Sequence, residues 1–304
     1  MQTLSLHITS RRDGSSWISM CAKGEYIAME KFCVTPIEVY RSVSRYRQLI
    51  GQMTRREITS RYKGSIFGLL WAFLTPVLML AVYTFVFSIV FKARWAGAGL
   101  GEEQSQSDFA IMLFTGMIVY GIFAESVNRA PGLILGNPNY VKRVVFPLDI
   151  LPWVVMGTAM FNALVGFCVL IAFFLLTNHQ LTWTAAWLPF VLLPLIFLCM
   201  GLSWFLCSLG VYLRDVGQTV GIATTMLMFL SPVFYPVASL PLTFQFYLKL
   251  NPLTSIIEQT RDVLLLNQPP DLMTLLISSL ASLFFAWAGF VWFQKTRRGF
   301  ADVI

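Results

Sequence analysis

The sequence predicts an all-α membrane protein. It has six transmembrane helices, an N-terminal amphipathic helix in the membrane interface, and an outer re-entrant helical segment between helices five and six. Three observations predict this. Of 304 residues, 57% are hydrophobic and 12% charged, with a mean hydropathy of +0.68; a soluble domain is roughly half apolar and a quarter charged. The apolar residues gather into six continuous runs near the ~20 residues that cross a bilayer. Just before the first run, apolar and basic residues interleave at helical spacing. The formal charge of +7 does not point to nucleic acid, because the basic residues flank apolar spans instead of forming a soluble patch. Anionic headgroups are their natural partners.

Residues 1–39 form a tail, expected to be poorly ordered, that lacks the apolar stretch of a signal peptide; Met29 would serve as an alternative start. From Tyr40 to Gly64, Val43, Tyr46, Leu49, Ile50, Met53, Ile58 and Tyr62 recur at helical steps. Seven basic residues between Arg41 and Lys63 are mixed among them. An apolar stripe beside a cationic face describes a helix lying in the interface. The spans follow within the domain 65–304: Ser65–Phe91, Phe109–Ala124, Leu151–Thr177, Ala185–Val211, Val220–Val237 and Leu272–Phe293. Lipid offers no partner to a free amide, so each crossing is expected to be a helix. Strands of a β-barrel would alternate, and these runs do not. Pro76, Pro189, Pro194, Pro232 and Pro236 punctuate the spans. The outer segment from Ala238 to Asp271 holds an aromatic stretch, Phe244-Gln245-Phe246-Tyr247, then Asn251-Pro252 and an amphipathic run from Leu253 to Leu266. It reads as short helices folded at or into the outer face. No internal repeat is present, so an inverted-repeat secondary carrier is not supported.

With the N-terminus inside, the cytoplasmic flanks carry fourteen Lys and Arg and the outer flanks four. The positive-inside rule therefore places both termini in the cytoplasm. Charges within the spans are scarce. Glu125 and Arg129, four apart, can pair along one helix. A proton- or ion-coupled carrier would need more of them near the midplane, so the driving energy is expected to come from elsewhere. It does not come from this chain: no G-x-x-x-x-G-K-[ST] loop exists, nor any Gly-Lys dipeptide. Two histidines and five cysteines without a C-x-x-C pair offer neither a metal cluster nor a disulfide framework. G-x-S-x-G is absent too. The chain is therefore not expected to be an enzyme.

Aromatic residues make up 15% of the chain. Tyr83, Phe87 and Phe91 stand four apart in the first span, with Phe67 and Trp71 nearer its inner end. Phe229, Phe234 and Tyr235 belong to the fifth. Interface belts and lipid-facing packing are the ordinary use of such rings. A conduit lined by rings is the other, and it would suit the C–H faces of sugars.

The run Arg55-Arg56-Glu57-Ile58 through Arg61-Tyr62-Lys63-Gly64-Ser65, then Gly68-Leu69-Leu70-Trp71 and Pro76, resembles the start of ABC-2-type permeases. It is most similar to the polysaccharide exporters that handle O-antigen, capsule or teichoic acid. Phe146-Pro147-Leu148-Asp149-Ile150-Leu151-Pro152, Arg214-Asp215-Val216, Ser231-Pro232-Val233-Phe234-Tyr235-Pro236 and Asn251-Pro252 with Arg261 extend the likeness over about residues 36 to 304. The resemblance implies a half-transporter in the cytoplasmic (inner) membrane. Two copies would pair around a conduit, and two separate ABC ATPase subunits would supply the ATP and Mg. The cargo would be an undecaprenyl- or other lipid-linked glycan. It implies ATPase-coupling segments at Asn137 to Val145, with Tyr140, Lys142 and Arg143, and at Tyr212 to Gln218, with Arg214 and Asp215. Arg47, Arg55, Arg56 and Arg61 would hold a pyrophosphate headgroup, since guanidinium forks fit phosphate oxygens. Asn251, Pro252, Glu258 and Arg261 would form an outer gate. Other readings stay open: a drug or lipid exporter of the same fold, a membrane assembly protein without transport, or an integral membrane glycosyltransferase.

Overall fold

A computed structural model describes residues 36–91, 106–142, 146–177, 180 and 182–303. Among these the chain is helical, with no strand. The amphipathic helix α1 is Pro36–Tyr62. The first span begins with a turn and a 3-10 segment, Gly68–Leu70. It continues as α2 (Trp71–Tyr83) and ends in a π-helical stretch, Thr84–Val90. Then come α3 (Gln106–Arg129), the short α4 (Pro138–Lys142), α5 (Leu151–Leu176), α6 (Leu188–Tyr212) and α7 (Val216–Leu230). Two further helices, α8 (Leu242–Leu250) and α9 (Pro252–Leu264), fall in the segment expected to be outer, followed by α10 (Leu272–Thr296) and α11 (Phe300–Val303).

Among the described residues, five helical stretches are long and apolar enough to cross a membrane: Gly68–Phe87, Asp108–Gly132, Leu148–Leu176, Trp183–Tyr212 and Leu272–Gly299. The fifth segment in chain order differs from its expected range. Its helix stops at Leu230, because Pro232 supplies no amide and disfavours helix before it. Fifteen residues span ~22 Å at 1.5 Å each, short of the ~30 Å hydrocarbon core. The second segment is longer than expected, since polar residues at both ends of α3 are helical too. Pro189 does not interrupt the fourth span. It lies in the first turn of α6, where a missing N–H leaves nothing unpaired.

Helices α3 and α6 hold the centre. Trp204 of α6 is buried, lies edge-on to Phe290 at 5.2 Å and to Trp153 at 6.1 Å, and donates to the Asp149 carbonyl at 3.1 Å. Helices α6 and α10 touch backbone to backbone at Gly201 and Gly289, where either glycine's Cβ would strike the opposite main chain. Between lipid-embedded helices such close approach replaces the missing hydrophobic drive. Helix α1 lies against α5, and its contacts advance with that helix. Ser42 donates to Asp149, Thr54 sits over Gly157, and Arg61 reaches Glu125, which also accepts from Asn162 at 2.7 Å. Its apolar stripe is half-buried and its arginines are exposed.

Candidate substrate path and cytoplasmic coupling surface

At the end of the first span expected to face outward, three of the predicted aromatic residues meet. Tyr83, Phe87 and Phe234 all pack on one cluster formed by Phe109, Met112 and Leu113 of α3. Phe87 stacks on Phe109 at 5.5 Å and lies 5.8 Å from Phe91. Phe229 stacks on Phe234 at 5.6 Å, and the Tyr235 hydroxyl donates to the Phe229 carbonyl at 3.0 Å. Phe91 and Phe229 remain exposed. Phe87 lies within the π-helical stretch and Phe91 directly follows it, and such bulges often accompany function. Phe67 and Trp71 pair edge-on at 5.7 Å, but at the other end of the span. With ~1.5 Å per residue separating positions 67 and 91, one protomer makes two aromatic patches.

Next to the outer patch lies a clamp built around Arg261, which is 4% exposed. Its Nε donates to the Met112 carbonyl at 2.9 Å, Nη1 to Pro232 at 2.7 Å and Nη2 to Val233 at 3.0 Å. Two of these carbonyls belong to the break after α7 and one to the interior of α3, and the planar fork reaches all three. Burial lowers the Arg261 pKa to about 9, against which Glu258 and Asp262 pull upward, so it stays a cation at neutral pH. Burial pushes the Glu258 carboxyl up, with Asp262 adding to the rise and Arg261 and Lys249 opposing it. Asn251 caps α9 by accepting from the Leu253 amide at 3.0 Å, and its Nδ2 donates to Ser231 Oγ at 3.0 Å. Pro252 takes the first turn. The break after α7 and the outer helix α9 are thus one polar assembly. Reading the sequence did not find Met112 or Gly116. A Cβ at Gly116 would lie 2.6 Å from Arg261 Nη2 and 3.3 Å from Val233 Cα. No local signal marks either residue, because their partners are more than a hundred residues away.

Toward the inner end, Arg61 and Arg129 interleave with Glu57 and Glu125. Arg129 pairs with Glu57, Arg61 with Glu125, and Arg129 also with Glu125 at 3.6 Å. The pairing along α3 that the spacing suggested is present, but the strongest bonds run across to α1. Arg61 is therefore tied to the second span, while Arg47, Arg55 and Arg56 point outward, exposed. Helix α7 is fastened to the same span. Tyr120 donates to the Thr224 carbonyl, and Thr224 Oγ1 donates to Asn128 Oδ1 at 2.8 Å. Its opposite side is bare, a shallow groove lined by Gln218, Gly221, Ile222, Thr225 and Met226.

In the first stretch expected to meet an ATPase, Tyr140 of α4 stacks on Phe146 at 4.4 Å. Lys142 ends α4, nothing is described of its side chain, and Arg143 lies outside the described residues. Arg214 and Asp215 are exposed in the turn before α7. Asp149, part of a motif noted above but given no role, is a junction: it accepts from Ser42 and pairs with Arg297 at 3.9 Å.

Residues 48–265 match the family described as ABC-2 type transporter. Across 88% of its length the chain is 26% identical to the O-antigen export system permease protein RfbA of Myxococcus xanthus, covering 100% of that protein. To a protein of the same description from Klebsiella pneumoniae it is 24% identical, covering 84% of the chain and 95% of that protein. To the polysialic acid transport protein KpsM of Escherichia coli it is 26% identical, covering 77% of the chain and 88% of that protein.

Proposed function

We propose, since this chain belongs to the ABC-2 type transporter family, that it is the membrane-spanning permease subunit of an ATP-driven exporter. Its cargo is a lipid-linked polysaccharide moved across the cytoplasmic membrane. The observation that carries this reading is the near-full-length likeness to O-antigen and capsule-type export permeases. The missing phosphate loop agrees with it, since hydrolysis then falls to a separate subunit.

In this reading α7 and the turn after it make the fifth of six crossings, which leaves both termini in the cytoplasm. Two copies pair, and the faces they turn to each other are the exposed side of α2 and the groove on α7. Exposed Phe91 and Phe229 then line the outer end of a shared path and Phe67 and Trp71 its inner end, while Tyr83, Phe87, Phe234 and Tyr235 stand behind the outer pair. Helix α1 rests at the inner interface, with Arg47, Arg55 and Arg56 turned to the phosphates of the carrier lipid; Arg61 holds α1 to α3. The ATPase subunits, with ATP and Mg, bear on α4 and on the turn at Arg214 and Asp215. Nucleotide shifts the path only if its two states bind nucleotide differently. The Arg261 clamp ties α9 to the end of α7, so movement of α7 reaches the outer gate.

Deleting the gene is expected to leave lipid-linked glycan inside the cell and strip it from the surface, measured by extraction and surface labelling. Unchanged surface glycan would overturn the reading and favour a smaller drug or lipid cargo.

A further inference from the structure

The last turn of the chain does more than end the sixth crossing. Thr296 is held from the fourth span: its hydroxyl lies 2.6 Å from Ser208 Oγ, and its carbonyl accepts from the Tyr212 hydroxyl at 2.9 Å. Phe300, four residues on, is fully buried, 5.6 Å from Phe293 and 6.1 Å from Tyr212. Between them Arg297 turns the other way. Its Nη2 donates to the Phe146 carbonyl at 3.1 Å, and its Nη1 faces Asp149 at 3.9 Å. Phe146 is the ring on which Tyr140 of α4 stacks. Arg214 and Asp215 lie two and three residues past Tyr212, and Tyr140 rests on Phe146, so both stretches proposed to meet the ATPase lean on the turn that follows Thr296.

An ordinary reading of Arg297 is a cation placed at a helix C-terminus or counted by the positive-inside rule. Either would leave it facing water or headgroups. Instead it is folded back onto a carbonyl and a carboxylate about 150 residues earlier in the chain, the carboxylate being one that Ser42 of α1 also binds. The reason a strap is needed is the size of α4. A helix of five residues cannot hold its own orientation, since isolated helices that short do not persist. Its direction must come from what it leans on.

We propose that the turn Arg297–Gly299 with Phe300 is a strap that makes α4 and the turn at Arg214 and Asp215 move as one body, with Arg297 as the positioning residue. This rests on the reading of those two stretches as ATPase-facing. A push on either then reaches α1, α6 and α7 together, instead of being absorbed by a loose loop.

The test uses the full chain assembled with its ATPase in lipid nanodiscs. Spin labels are placed at Asn139→Cys and Gln218→Cys, with Cys21, Cys33 and Cys168 changed to Ser and labelled protomers diluted with unlabelled chain. Cys199 and Cys207 are buried and stay. In the parent, the distance between labels is expected to be narrow and equal with and without a non-hydrolysable ATP analogue and Mg. In Arg297→Gln it is expected to broaden. Glycan moved per ATP hydrolysed, read with lipid-linked glycan extracted from the host, is expected to fall roughly two- to thirtyfold, the reach of single changes on a coupling route. Arg297→Lys keeps the charge but not the two-way fork, so it broadens the distance even if the Gln variant fails to assemble. A narrow distance in both variants, with ATPase association intact, overturns the strap alone. Failure of the parent chain to associate with any ATPase overturns the functional reading and the strap with it.

Discussion

The first and second spans are almost equally apolar, with mean hydropathies of 2.1 and 1.8, yet 11% of one and 78% of the other is buried in the protein. The more polar helix is the inner one. In lipid, apolarity drives insertion but not association, because lipid tails are as apolar as leucine; polar bonds and close contact decide which helices pair. Helix α3 carries Tyr120, Glu125, Asn128 and Arg129, each bonded to another helix, and its Gly116 lets the Arg261 fork in. The hydroxyl of Thr84 in the first span bonds only its own helix, at Leu80. That span presents Phe73, Val77, Leu78, Val82 and Phe85 to whatever surrounds it. One helix is the frame, the other a face left for lipid, a second copy or cargo.

Removing the frame's outermost fastener tests this contrast hardest. Arg261→Met leaves three carbonyls without their donor, a loss on the order of 3 kcal/mol or more, and is expected to lower the thermal midpoint in detergent and the membrane level sharply. Gly116→Ala attacks the same point from α3. The new methyl must push back a pinned guanidinium and the Val233 backbone, for about 1–3 kcal/mol, read in the same melts. Glu125→Gln weakens the ties to Arg61, Arg129 and Asn162. The arginines are 32% exposed, so screening leaves about 1 kcal/mol, and the expected sign is faster hydrogen exchange over α1 with the spans unchanged. Smallest in stability is the bare face. Val77→Ala and Phe229→Ala are expected to shift melting by no more than ~0.5 kcal/mol, while surface glycan falls. A large melting loss from Val77→Ala, or none from Arg261→Met, would erase the distinction between the two helices.

Much of the secondary structure was legible because its signals are local. Continuous apolar runs mark the spans; the expected fifth span ran on past Pro232, where α7 has already stopped, and the caps at Asn251 and Asp271 were not read. The periodicity of α1 could be read because that helix has one wet face. Within the spans it could not, since lipid accepts apolar residues on every side and no stripe distinguishes inward from outward. For the same reason the aromatic residues looked alike in the sequence, while the fold divides them into Tyr83, Phe87 and Phe234 on a shared cluster, Phe91 and Phe229 in the open, and Phe67 with Trp71 at the far end. Arg61 read as one of four equivalent cations; only the approach of Glu125 sets it apart.

By itself, then, the sequence determined that this chain is a bundle of lipid-soluble helices that carries no G-x-x-x-x-G-K-[ST] motif, because hydropathy, proline and a phosphate loop are written in neighbouring residues. The tertiary structure alone decided that α3 is the frame, that Arg261 joins the break after α7 to α3, and that the turn after Thr296 meets Asp149 and Tyr212. Those outcomes depend on which polar groups find each other across the chain, 149 residues apart for Arg261 and Met112, and in a lipid solvent no pattern of apolar residues announces the meeting in advance.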